Sequence, residues 1–188
     1  MNRAGSKLAA NHDFFLTTDY PIQAIHWRKF GDLPINSVVY GSIRPVMYFM
    51  VTNQQLQLVK QTWKLLREID PSVLGGVFYG RLFFKYPALR PMFNRSMESQ
   101  YQKFVDMLSI IVARLDRPDT VAQEIGMLAR SHAGYGVQPT HYEDVKEALL
   151  WTLERGLGLD WNTDVQQAWI GCYDAITQLM LEQVPLSP

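Results

Sequence analysis

Hydrophobic residues recur along most of this chain with a period of about 3.6, the spacing that places them on one face of a helix. Leu56, Val59, Trp63, Leu66 and Ile69 make a first stripe, preceded by Thr52 and Gln55 in the T-x-x-Q form of a capping box. Asp70-Pro71 then supplies a cap and a first helical residue for a second helix, which carries Leu74, Val77, Phe78, Leu82 and Phe83 inward. Gly75 and Gly76 either allow a close helix crossing or weaken the helix. Tyr86-Pro87 closes the second helix, because proline disfavours a helical conformation in the residue before it.

A corner containing Phe93 follows, and Ser96 caps a third helix with Phe104, Met107, Leu108, Ile111, Val112 and Leu115 on one face. The charged turn from Asp116 to Asp119 leads to a fourth, in which Val121, Ile125, Leu128 and His132 align. Gly134, Gly136 and Pro139 end that helix. Thr140 and Glu143 form a T-x-x-E start for a fifth, with Tyr142, Val145, Leu149 and Leu153 on one face. Gly156 and Gly158 break the chain, and Thr163 with Gln166 opens a last helix burying Val165, Trp169, Cys172, Tyr173, Ile176 and Leu179. Every strong element is helical, so the fold class is all-α.

His132 changes the picture, because it continues an apolar stripe instead of facing water. A buried imidazole is either satisfied by a carbonyl or hydroxyl, or offers a ring nitrogen to iron or zinc.

The run Leu128-Ala129-Arg130-Ser131-His132 through Val137, Pro139, Tyr142, Val145 and Leu149-Leu150 resembles the proximal-histidine segment of globins, particularly bacterial single-domain globins and flavohaemoglobin haem domains. Pro87 and Phe93 stand six apart, as the corner proline and haem-stacking phenylalanine of that family do, and Tyr79 stands eight before the proline. Gln100, one turn before Phe104, falls at the family's distal position, followed by Lys103. The resemblance spans roughly residues 53 to 182.

It implies a globin fold, a three-on-three helical sandwich around haem b. The implied iron ligand is His132, and the implied distal hydrogen-bond donors are Tyr79 and Gln100. Phe93, Phe104, Leu128, Val137, Val145 and Leu149 are implied cleft residues, with Tyr142 beside the ligand and Lys103 toward a haem propionate. The glutamate that partners this tyrosine in flavohaemoglobins is expected near Val184, whereas the nearest glutamate is Glu182; a strong proximal electron push is not implied.

Reversible binding of dioxygen, for storage or delivery, follows from donors that favour dioxygen over carbon monoxide. The alternative is an enzyme, a nitric oxide dioxygenase. It would work with an external reductase, since no flavin or nicotinamide domain is expected after Pro188. A third function class is a globin-fold sensor or interaction module, for which no output segment is recognisable.

Composition bounds the rest. Of 188 residues, 47% are hydrophobic and 19% charged, with 18 basic and 18 acidic side chains, so nothing favours nucleic acid or an anionic surface as a partner. Cys172 stands alone, excluding an internal disulfide and suiting a cytoplasmic location. No run is long and apolar enough for a membrane span, and no secretory signal opens the chain.

Residues 1–50 hold short apolar islands without sustained periodicity and read as an irregular extension, with residues 51–184 as the haem domain and 185–188 as a tail. Ser37 to Tyr48 has strand-like composition interrupted by Gly41 and Pro45. Translation starting at Met50 would remove the extension; a flexible arm for a partner or for targeting is the competing expectation.

Overall fold

The computed structural model describes residues 51–183, and the expectations for residues 1–50 and for the tail lie outside them. Six α-helices follow in order: α1 (Asn53–Leu66), α2 (Pro71–Lys85), α3 (Met97–Arg114), α4 (Pro118–Gly134), α5 (Pro139–Leu157) and α6 (Thr163–Gln183). A 3₁₀ turn over Pro87–Met92 joins α2 to α3, and a shorter one over Gly158–Asp160 joins α5 to α6. The described residues form no strand, as the all-α pattern predicts. None of their helices is long and apolar enough to cross a membrane.

The helices pack as α1 on α6, α2 on both α3 and α5, and α4 and α5 on α6, with α3 also touching α1 and α4. The core follows the stripes read from the sequence. Val59, Leu66, Leu82, Val121, Ile125, Leu153 and Leu179 are almost wholly buried. Val77 is the exception on α2: it is 37% exposed, rotated about 100° around the helix from Phe78 on the buried Leu74–Phe78–Leu82 face.

Three helix starts match expectation. Gln55 N–H donates to Thr52 Oγ1 (3.2 Å) while Thr52 N–H donates to Gln55 Oε1 (2.9 Å). Ser72 N–H donates to Asp70 Oδ1 (2.8 Å), and Ser99 N–H to Ser96 Oγ (3.3 Å).

Two starts differ. The expected Thr140–Glu143 box does not form, because α5 begins earlier, at Pro139. There Gln138 N–H donates to His141 Nδ1 (3.1 Å), and Glu143 pairs instead with Lys146 (2.7 Å). Helix α6 is capped by Asn162, whose Oδ1 accepts from Val165 N–H (3.0 Å), one residue before the expected Thr163. Gly156 lies inside α5, and only Gly158, at φ 54°, breaks the helix. At the end of α4, Gly136 takes the left-handed backbone (φ 74°), whereas Gly134 remains helical.

Close approach is real at two glycines, and at Gly156 an added Cβ would lie 2.5 Å from the buried Leu66 Cδ2. A Cβ added to Gly75 would lie 2.6 Å from Tyr101 Cβ, so α2 and α3 cross with no room for a side chain.

Candidate functional site

Helix α4 carries His132 on the half-buried continuation of its apolar stripe, one turn beyond Leu128. His132 Nδ1 lies 2.9 Å from the Leu128 carbonyl oxygen. A carbonyl only accepts, so Nδ1 carries the hydrogen and Nε2 keeps its lone pair. Burial lowers the pKa of the imidazole and outweighs the opposing bond to Leu128, which favours the neutral ring. The donor chemistry therefore fits an iron or zinc ligand whose second nitrogen is oriented by the main chain.

The turn after α4 returns the chain to the histidine. Val137 N–H donates to the His132 carbonyl (3.1 Å), and four residues into α5 the Tyr142 ring lies 6.2 Å from the His132 ring, centroid to centroid, with 15° between planes. Helix α6 supports Tyr142 from behind, where Tyr173 donates its hydroxyl to the Tyr142 carbonyl (2.8 Å). Lys146 binds Asp174 (3.0 Å) across the same pair of helices. Glu182 is exposed and accepts from Gln178 (3.1 Å), so it makes no bond to Tyr142.

A second group forms where α2, the corner and α3 meet. Tyr79 is 7% exposed and touches five rings: Phe78 at 4.9 Å, Phe93 at 5.3 Å, Phe83 at 5.7 Å, Tyr101 at 5.9 Å and Phe104 at 6.0 Å. Phe78 also stacks flat on Phe104, at 4.1 Å and 7°. Burial, and secondarily the phenol of Tyr101, hold the Tyr79 hydroxyl well above the usual phenol range; it stays a protonated donor.

Gln100 is half-buried on the first turn of α3, beside Tyr101 in sequence. Lys103 is half-buried too, and burial, then the nearby Arg95, lower its pKa. Arg90 braces the corner: its guanidinium lies over Phe83 (4.9 Å) and donates to Met97 Sδ (3.2 Å).

The structure thus assembles the expected residues into two groups, His132 with Leu128, Val137 and Tyr142, and Tyr79 with Phe93 and Phe104. Val145 is half-buried and Leu149 buried along α5, both against the core. Among the described residues no side-chain hydrogen bond or ring contact joins Gln100 or Lys103 to either group. Sequence reasoning missed Tyr101 and His141, and took Tyr173 only as a core residue. Gly75, one turn before Tyr79, was the available signal for Tyr101, since a close crossing brings the facing residue of α3 against that turn.

Comparison with known proteins bears on the same region. The family model described as Globin matches residues 76–180, from α2 into α6. An uncharacterized globin-like protein of Aquifex aeolicus is 30% identical over 132 residues, covering 70% of this chain and 93% of its own length. A flavohemoprotein of Vibrio cholerae is 27% identical over 71% of this chain but only 34% of that longer protein. An anaerobic nitrite reductase of Physcomitrium patens is 25% identical over 76% of this chain and 86% of its own.

Among solved structures, a hexacoordinated heme protein from an anhydrobiotic tardigrade shares the fold, with a TM-score of 0.64 at 16% identity, covering 71% of this chain and 94% of that one. With the helix order, the packing and the matched span in agreement, the chain belongs to the globin family.

Proposed function

We propose that this chain binds haem b through His132 and takes up dioxygen reversibly, with Tyr79 and Gln100 as the distal hydrogen-bond donors, in oxygen storage or delivery. The observation that carries the proposal is the bond between His132 Nδ1 and the Leu128 carbonyl, which leaves Nε2 as the one free lone pair of a neutral, part-buried imidazole.

Haem supplies a gas-binding iron in a large apolar disc. The chain does the rest. His132 would hold the iron through Nε2, and the main-chain bond at Nδ1 restrains its ring from rotating. Phe93, Phe104, Leu128, Val137 and Val145 give the disc apolar walls and keep water away. Tyr79, whose hydroxyl keeps its hydrogen because of burial, would serve as a hydrogen-bond donor on the distal side, with the Gln100 amide as the second donor. Lys103 supplies a cation for a cofactor carboxylate, and Tyr142 flanks the axial ring. Residues 51–184 would form this haem domain, in a cytoplasm that keeps the buried Cys172 reduced.

Likeness to flavohemoproteins favours one further activity, oxidation of nitric oxide to nitrate by dioxygen, with a separate reductase supplying the one electron that returns the iron to the ferrous state. Optical spectra of the haem-loaded protein, deoxygenated and oxygenated, test the common core. A histidine-ligated ferrous form and a stable oxygenated form are expected, and loss of the axial ligand in His132→Ala. No haem uptake would sink both activities. Nitrate formation with a reductase and nitric oxide separates the enzyme from the store.

A further inference from the structure

The corner between His132 and Tyr142 is closed by its own contacts. Val137 N–H returns to the His132 carbonyl (3.1 Å), and Gln138 Nε2 donates to the Gly136 carbonyl (3.2 Å). Gln138 N–H donates to His141 Nδ1 (3.1 Å), while His141 N–H donates back to the Gln138 carbonyl (3.0 Å). The next residue, Tyr142, lays its ring beside His132. His141 therefore joins the end of this turn to the start of α5 with a side-chain acceptor where a glutamate or glutamine normally serves.

The geometry points to His141 as a positioning residue for the axial histidine. Its imidazole fixes the first turn of α5, that turn fixes the Tyr142 ring, and the ring joins the Leu128 bond in setting the orientation of His132. The dependence on His132 as iron ligand rests on the proposal above; the hold on the corner does not. An imidazole lone pair can be replaced in this place by the carboxamide oxygen of glutamine, which has the reach for an N3 acceptor, but not by a phenyl ring.

Two variants of the haem-loaded protein test this, His141→Phe and His141→Gln, with amide exchange at Gln138 and the iron–histidine stretching band as readouts. In His141→Phe, exchange at Gln138 is expected to rise roughly five- to tenfold, the range of a lost helix cap. The iron–histidine band is expected to shift or split as His132 loses its single orientation. In His141→Gln both should return to wild-type values, which no general loosening of the fold would produce.

Unchanged exchange in His141→Phe overturns the proposal. Faster exchange with an unmoved band overturns its second half and leaves His141 a simple cap. A band that survives His132→Ala refutes the ligand assignment instead, and the exchange comparison still decides whether His141 holds the corner.

Discussion

Tyr79 meets Phe93 edge to face, with 5.3 Å between ring centroids and 72° between planes, and with the Phe83–Phe93 contact at 5.3 Å it ties α2 to the corner that follows. The hydroxyl takes no part in that contact and makes no hydrogen bond to another described residue, its raised pKa coming from burial and from Tyr101. In Tyr79→Phe the ring box survives intact. Stability of the haem-free protein should stay within about 1 kcal/mol of wild type, while dioxygen should leave about tenfold faster, the worth of one hydrogen bond to the ligand. Denaturant titration and stopped-flow dissociation check the two halves separately; slower release would remove Tyr79 from the distal role.

His132→Gly removes the proposed iron ligand and opens a space of imidazole size. Free imidazole added to this variant should restore the ferrous optical spectrum of the wild type, because Nε2 acts as a lone pair and not through its covalent tether. A spectrum unaffected by the substitution would place the ligand elsewhere.

How much of this was legible beforehand varies with the range of the interaction. The stripe Val121–Ile125–Leu128–His132, the Thr52–Gln55 box and the Asp70 cap depend on residues within one or two turns, and all appear in the structure. The α5 start was misplaced because Thr140 and Glu143 match the usual box, whereas histidine as an N3 acceptor carries no strong sequence signal. Helix α6 presents both Asn162 and Thr163 as eligible caps, and only geometry chooses. His132 itself stood out, being a polar residue on an apolar stripe, and the short corner from Gly134 to Pro139 brings Tyr142 at the start of the next helix close to it, as the resemblance also implies. The support from Tyr173, 31 residues further on, had no local pattern to betray it.

A similar long-range bond should control stability. Trp169 Nε1 donates to Thr62 Oγ1 (3.0 Å) between α6 and α1, and Thr62 in turn donates to the Leu58 carbonyl (2.7 Å). Thr62→Val keeps the shape but leaves a buried indole N–H unpaired, at an expected cost of about 1–3 kcal/mol. Adding Trp169→Phe to that variant should cost less than it does alone, since the orphaned donor is gone. Strict additivity in a double-mutant cycle would mean that the bond contributes nothing.

The neighbouring glycines of α2 should respond in opposite directions. A Cβ at Gly75 would meet the Tyr101 backbone Cα at 2.7 Å, whereas one at Gly76 meets nothing within 4 Å. Gly75→Ala must push α2 from α3 and should destabilise by about 1–3 kcal/mol, disturbing Tyr79 one turn away. Gly76→Ala should stabilise by about 0.5–1 kcal/mol through helix propensity and a smaller unfolded ensemble. Equal effects in denaturant titrations would show that the α2–α3 crossing is looser than these distances require.

Alkaline pH should weaken the fold through groups buried in their protonated forms. Burial pushes the Cys172 thiol from 9.0 up to about 12, and raises the Tyr79 and Tyr173 phenols above their usual range. Each is an acid whose pKa is higher folded than unfolded, so above pH 9 the unfolded chain releases protons that the folded chain retains. The stability these groups contribute is complete below their unfolded pKa values and is lost as pH rises toward the folded ones, at up to about 1.4 kcal/mol per pH unit per group. Unfolding free energy measured from pH 7 to 11 should therefore fall above pH 9, and the fall should be shallower in Cys172→Ala. A thiol reagent should label Cys172 at pH 8 only at the rate of unfolding, because the reactive thiolate is absent from the folded protein. Rapid labelling of the native chain would mean that the α6 core opens far more often than its burial implies.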